Sequence, residues 1–145
     1  MKKIFLDTNI LLDVLLERHP FCSPAQEIWS LAEKKKVKAG ISAISISNIF
    51  FIVKKLSSTE KAYHAIQTLM EIFKVLDVNS RTLRKALQLR KPDYEDSIQY
   101  LCARQLRADV IISRDAAGFH GVGIPVMDAS QYLSLRNRSV INSPD

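Results

Sequence analysis

The chain has 145 residues, with 21 Lys plus Arg against 15 Asp plus Glu, and a formal net charge of +6 when the three His are neutral. Hydrophobic residues at 47% and charged residues at 25% give the balance of an ordinary globular protein, too apolar for a disordered chain and unlike collagen, a coiled coil or a disulfide scaffold. This length supports one domain with a real core rather than two.

Lys2 and Lys3 precede an apolar run in the manner of an export signal, but Asp7 and Asp13 interrupt the run, so no such signal is read. Lys3 to Leu6 reads as a short strand. Pro24 falls in the first turn of a helical segment running to Lys36, where Ala25, Ile28, Trp29, Leu31 and Ala32 recur at helical spacing and Trp29 is expected in the core. A second strand, Ala39 to Ser42, precedes a helix from Ser45 to Leu56. The longest uncharged stretch, Ala39 to Val53, has 15 residues and carries several Ser and an Asn, short of the roughly 20 apolar residues of a membrane span. A soluble, cytoplasmic protein with no membrane partner is expected.

A helix from Thr59 to Phe73 opens on Thr59 as N-cap and repeats Ala62, Ile66, Leu69 and Met70, and Val75 to Val78 gives a third strand. Ser80 can cap a helix from Arg81 to Leu89. The last long helix begins near Pro92-Asp93 and turns Ile98, Leu101, Cys102 and Leu106 inward, and strands at Asp109 to Ser113 and Ile124 to Met127 follow. Strands alternating with helices imply a three-layer α/β architecture, a mainly parallel sheet flanked by helices, with one pair of helices in the middle departing from strict alternation. Residues 136–145 read as a polar, frayed tail. Cys22 and Cys102 stand in no metal-ligand or redox spacing, which suits small core residues in a reducing compartment.

Basic residues cluster at Lys34-Lys35-Lys36 with Lys38 and at Arg81, Arg84, Lys85, Arg90 and Lys91, compatible with a polyanionic partner and equally with solvated helix faces. The acids are fewer, yet they sit at the carboxyl ends of strands and the starts of helices, where a parallel α/β fold places reactive groups. Asp7 ends the first strand and opens Asp7-Thr8-Asn9. Asp93 and Asp96 lie three apart at the start of the last long helix, beside Glu95, and Asp115 follows Val110-Ile111-Ile112 just past Ser113-Arg114. Each can be a turn residue, an N-cap or a first-turn acid suited to the helix dipole. If the three points converge, the carboxylates repel unless a hard cation such as Mg²⁺ sits among them.

Ile4-Phe5-Leu6-Asp7-Thr8-Asn9-Ile10-Leu11-Leu12-Asp13 resembles the opening of PIN-domain proteins, the nuclease family that includes the VapC toxins. Asp93-Tyr94-Glu95-Asp96-Ser97-Ile98-Gln99-Tyr100, then Ile111-Ile112-Ser113-Arg114-Asp115 and Phe119, resemble its later acidic motifs in order and spacing. The resemblance covers about the first 130 residues and implies a PIN-like three-layer fold over 1–135. It also implies a Mg²⁺- or Mn²⁺-dependent ribonuclease whose metal-binding acids match Asp7, Asp96 and Asp115. Two positions depart from it: Asn48 stands where many members carry Glu, and Gly118 stands where a final Asp precedes Phe. The chain is most similar to a subgroup with Asn at that helix and a second Asp, here Asp93, before the third motif.

The expected function is therefore that of an endoribonuclease cutting single-stranded or looped RNA by a metal-activated water, as the toxin of a toxin-antitoxin pair. Asp7, Asp96 and Asp115 would be catalytic, and these three with Asp93 would bind the metal. Thr8, Asn9, Asn48 and Ser113 would orient carboxylates or waters. A small antitoxin and a second copy of the chain are the expected protein partners, the latter also because the apolar stretch Ile46 to Val53 is more than a small domain readily buries. The rival is a catalytically weakened PIN-like module that binds RNA or protein. Tyr94 and Phe119 flank the acids and read first as core residues. His19, His64 and His120 have no partner at ligand spacing, and Gly121-Val122-Gly123 reads as turn chemistry.

Overall fold

The computed structural model describes residues 2–119 and 123–142, so His120, Gly121 and Val122 lie outside the described residues. In chain order the elements are β1 (Lys3–Leu6), α1 (Thr8–Leu15), α2 (Cys22–Glu33), β2 (Lys38–Ser42), α3 (Ala43–Leu56), α4 (Thr59–Ile72), β3 (Lys74–Leu76), α5 (Ser80–Leu89), α6 (Tyr94–Leu106), β4 (Val110–Ile112), a 3-10 turn (Ala116–Phe119), β5 (Val126–Met127) and α7 (Ala129–Asn142). The strands form one sheet in the order β3-β2-β1-β4-β5, and every pair is parallel, with Lys3 opposite Lys38 and Leu6 opposite Ile112.

β1 and β4 are buried on both faces, which explains their unbroken apolar sequence. Ile4, Leu6, Ile41, Val110 and Ile112 pack on one face with Ile10, Ile28, Ile49, Leu69 and Tyr132 of α1, α2, α3, α4 and α7. Phe5, Ile111 and Leu76 face the other way, toward Ala86 of α5 and Ile98, Cys102 and Leu106 of α6. Each such side chain contributes about 1.5–3 kcal/mol by leaving water. Gly40 lets α6 seat on the second face, because a Cβ there would stand 2.7 Å from the methyls of Leu106 and Leu76.

The three-layer α/β reading holds, and α3 with α4 is the pair that departs from alternation. Two helices escaped it. α1 begins directly on Asp7, so strand and helix share one short motif; α7 runs from Ala129 through Asn142, across the segment read as a polar tail. Caps also shift by a residue: Ser58 rather than Thr59 opens α4, and Asn79, in a reciprocal box with Thr82, rather than Ser80 opens α5. Cys22 and Cys102 are buried thiols and Phe119 is buried, as expected. Trp29 is only partly buried, edge-on to Phe73 at 5.2 Å. Tyr94 is not a core residue: it is 45% exposed and its hydroxyl donates to the Leu83 carbonyl of α5 at 2.8 Å. Ile46, Ile49 and Val53 are buried within the chain, while Phe51 remains exposed.

Successive connections leave β1 on one side toward β2 and β3 and return on the other toward β4 and β5. The order therefore reverses between β1 and β4, and in such sheets a crevice opens beyond the carboxyl ends of the strands at that point.

Candidate active site

Asp7 stands at this crevice because it ends β1, and it is held there from three directions. Its amide donates to the Ile112 carbonyl of β4 at 3.0 Å. Oδ1 accepts from the Thr8 amide at 2.8 Å, the N-cap bond of α1, and Oδ2 accepts from the Ser113 hydroxyl at 2.8 Å. Ser113 Oγ also accepts the Asp115 amide at 3.0 Å. One hydroxyl thus couples the acid after β1 to the acid after β4.

The N-terminus of α6 brings the remaining acids. Asp93 is its N-cap, accepting the Asp96 amide at 3.1 Å. The Asp96 carboxylate lies against Gly118: a Cβ at that position would fall on Asp96 Oδ2 and stand 3.3 Å from Asp115 Oδ2. The missing side chain at 118 is what allows the 3-10 turn to close on α6.

Glu95, not singled out from the sequence beyond being a first-turn acid, belongs to the same group. Its Oε1 accepts from Asn48 Nδ2 at 2.8 Å. Asn48 is therefore tied to Glu95, and a Glu at 48 would place a second carboxylate there. Asn9 is exposed, and its side chain makes no hydrogen bond among the described residues. The Thr8 hydroxyl turns inward, 2.7 Å from Ser45 Oγ, and Gln99 Nε2 donates to both hydroxyls at 3.1 Å. This buried network joins the first turns of α1 and α3 to α6 one turn below Asp96. Nothing in the sequence marks Gln99, since a glutamine on a helix ordinarily faces solvent.

Burial pushes the Asp7 carboxyl up, against the Ser113 and Thr8 hydrogen bonds that favour the anion, and Asp115 and Asp93 push it further. Glu95 is raised by partial burial and by Asp93 and Asp7, with the Asn48 bond opposing. Asp96 is pushed up to about 6, first by partial burial and then by Asp93, Asp7, Asp115 and Glu95. All the charges bearing on Asp96 are carboxylates. The donors are hard oxygens open to solvent on one side, which suits a divalent cation that keeps part of its water. Among the described residues no three acids already form a closed ligand set, so the fit rests on donor chemistry and mutual repulsion.

The PIN domain model matches residues 3–117, a span that includes every acid of the cluster. The chain belongs to the PIN-domain family. Ribonuclease VapC1 of Aquifex aeolicus (strain VF5) is 22% identical over 141 residues, 94% of this chain and 96% of that protein. Among solved structures, Mycobacterium tuberculosis VapC20, a sarcin-ricin loop cleaving toxin, matches with TM-score 0.65 at 13% identity, covering 79% of this chain and 92% of its own. A toxin-antitoxin complex from Klebsiella pneumoniae matches with TM-score 0.64 at 21% identity, covering 87% and 97%. The resemblance of the chain to the PIN-domain family is thus borne out. No helix among the described residues of this PIN domain is long and apolar enough to cross a membrane.

A second fixed point of this PIN domain lies behind Asp115. Arg114 Nε and Nη2 donate to Asp13 Oδ2 and Oδ1 at 2.8 and 3.0 Å, Arg18 approaches Asp13 at 3.8 Å, and the guanidinium covers the Phe21 ring at 4.1 Å. The Asp13 side chain is fully buried. This fork ties the residue before Asp115 to α1.

Two tests follow from these contacts. A folded carboxyl at about 6 against roughly 3.9 unfolded means that the fold holds a proton the unfolded chain has lost. Stability from Asp96 is full below about pH 4 and falls as pH rises through about 6. Without divalent ions, Asp96→Asn should therefore melt higher than wild type at pH 7.5. The gain is on the order of 1 kcal/mol, or about 3 °C, after discounting for solvent screening, and it should shrink toward pH 4. Equal melting at pH 7.5 would show that neither burial nor the neighbouring acids penalise the Asp96 anion.

For the fork, Arg114→Gln leaves the buried Asp13 only the longer contact to Arg18 and should cost about 2–4 kcal/mol in urea unfolding, whereas the double variant Asp13→Leu, Arg114→Met should recover most of it. Equal losses in both would remove the ion pair as the cause.

Proposed function

We propose that this PIN domain is a divalent-metal-dependent endoribonuclease cutting single-stranded or looped RNA, the toxin of a toxin-antitoxin pair. The observation that carries the reading is the crowding of Asp7, Asp96 and Asp115, with Glu95 and Asp93, at the reversal point of the sheet, where partial burial and then the other four carboxylates push Asp96 up. Asp7, Asp96 and Asp115 would hold Mg²⁺ or Mn²⁺, with Asp93 or Glu95 making up the negative charge. When bound, such an ion neutralises the acids, polarises the phosphoryl group and lowers the pKa of water.

The chain's own residues do the rest. Ser113 orients Asp7, Asn48 orients Glu95, and the bare backbone of Gly118 leaves room for the Asp96 carboxylate. Between α5 and α6 a groove of about 700 Å³ is lined by Arg81, Lys85 and Arg104 together with polar residues and with Leu89 and Leu101, and its three cations suit a phosphate backbone. The similarity to Ribonuclease VapC1 supports the RNA substrate, and the buried free thiols suit a reducing cytoplasm.

Cleavage of RNA by the purified chain should require Mg²⁺ or Mn²⁺, and Asp7→Asn or Asp96→Asn should lower it by about 100-fold or more, roughly 2.7 kcal/mol of barrier. Full activity in EDTA would overturn the reading. The rival, a weakened binding module, draws on Asn48 and Gly118. It expects Asn48→Glu to restore a missing charge and raise cleavage more than about tenfold, roughly 1.4 kcal/mol. A nuclease that already places Glu95 at 2.8 Å from Asn48 expects this variant to be slower, because the added carboxylate repels Glu95 and the phosphate.

The partner reading is a homodimer and a small antitoxin. Phe51 and Tyr63 on the α3–α4 face are more than half exposed and are bridged by Phe50, 5.8 and 4.8 Å from them, an apolar surface suited to a second copy. The neighbour in a toxin-antitoxin complex supports the other partner. Sedimentation of the chain alone, and after coexpression with the product of its neighbouring reading frame, should give a dimer and then a heavier complex. A monomer in both would remove both partners.

A further inference from the structure

At the amino ends of the strands, opposite the acids, Lys2, Lys3, Lys35, Lys36, Lys38 and Lys74 line one open depression of about 430 Å³. They arrive from three adjacent strands and one turn. Lys3 of β1 is level with Lys38 of β2, and Lys74 of β3 is level with Gly40. Strands about 4.8 Å apart thus present ammonium groups side by side.

None of the six is in an ion pair among the described residues. Asp109, the nearby acid, accepts the backbone amides of Lys2 and Lys3 on Oδ2 at 3.0 and 2.9 Å and is also attracted to the Lys3 charge, which leaves the other five lysines uncompensated by it. The dipole of α2 accounts for cations just past Glu33. It does not account for Lys2, Lys3, Lys38 and Lys74 converging on the same depression from the sheet.

We propose that this lysine cluster is a second RNA-contact surface, gripping the phosphate backbone of a strand outside the cleavage crevice; the choice of RNA rests on the proposed function. Lysines are flexible point charges suited to phosphates without regard to sequence, and among the described residues no aromatic side chain lines the depression to stack a base. The cluster cannot serve the scissile phosphate, because β1 separates Lys3 from Asp7 by four residues, about 13 Å at the usual rise. A single strand can turn over the edge of the sheet and occupy both ends. A duplex, stiff over about 150 base pairs, cannot.

The test is binding of a labelled polyuridine of about 30 nucleotides to wild type and to Lys36→Gln/Lys38→Gln/Lys74→Gln, in EDTA, across about 50 to 200 mM salt. All three side chains are exposed, and the variant should melt as wild type does. Affinity at the lower salt should fall at least about tenfold, and the slope of log K on log salt should become shallower by about 2, three contacts at roughly 0.7 each. Cleavage of a trinucleotide with Mn²⁺, whose two phosphates cannot reach across the roughly 13 Å between the ends, should be unchanged.

Equal affinity and slope for the long strand would overturn the proposal, as would an equal loss on the short one. A loss confined to duplex DNA or to polyglutamate would overturn the choice of RNA. Because binding is read without metal, long RNA held through the lysines but never cut would fail the nuclease reading alone. RNA cut normally, with affinity unmoved by the variant, would fail this one alone.

Discussion

Mutual repulsion of carboxylates at the carboxyl ends of β1 and β4 is the constraint around which the molecule is arranged. Asp7 cannot withdraw, because its amide completes the ladder to Ile112 and its side chain caps α1. Asp96 cannot withdraw either, since its amide is fixed by the Asp93 cap and its carboxylate is seated against Gly118. Side chains free to move would relax such repulsion by turning to water. Here strand ends and helix first turns, the stiffest backbone available, prevent it. The hydrogen bonds given to Asp7 by Thr8 and Ser113 favour its anion, but burial outweighs them and the pKa still rises. A site of this kind is a poor stabiliser of its own fold, and it is poised to gain from a cation.

Two buried contacts keep the repulsion from prising the elements apart. The Thr8–Ser45–Gln99 network draws α1, α3 and α6 together beneath the acids, and the Asp13–Arg114 fork draws the segment after β4 onto α1. Neither is an optimal stabiliser. Gln99 Oε1 is buried without a partner among the described residues, a cost of about 1–3 kcal/mol unless water reaches it, and a buried ion pair is often no better than an apolar replacement. What both offer is geometry: directional bonds fix distances between elements, which apolar packing alone leaves soft.

The legible part of the sequence was the part governed by local rules. Strand-end acids, alternating elements and the three acidic motifs could be read because each depends on neighbours within a few residues. Glu95 was visible as an acid of a first turn, but its bond to Asn48 joins residues 47 apart in sequence. The Arg114–Asp13 fork spans 101 residues, and no periodicity announces a pairing over that distance. Gln99 was hidden because helical spacing marks it only as facing the sheet side of α6, where a polar residue has no evident reason to be. α7 went unread since, among its described side chains, only Ala129 and Tyr132 are buried, too few to give a helical rhythm.

Charge is also partitioned along the strands, and salt decides what that partition does. The acids crowd the carboxyl ends, the six lysines crowd the amino ends, and the whole chain carries +6. The two ends are about 13 Å apart along β1, more than the Debye length of about 8 Å at physiological salt. At that ionic strength each end acts on its own surroundings. The lysines attract a polyanion without neutralising the acids, and the acids repel phosphate locally without cancelling the attraction. At low salt, where screening extends to about 30 Å, the ends would partly compensate and the crevice would be less hostile to phosphate. The separation along the strand thus leaves the acid group without compensation from the lysines, so that only a charge small enough to enter among the carboxylates would relieve it.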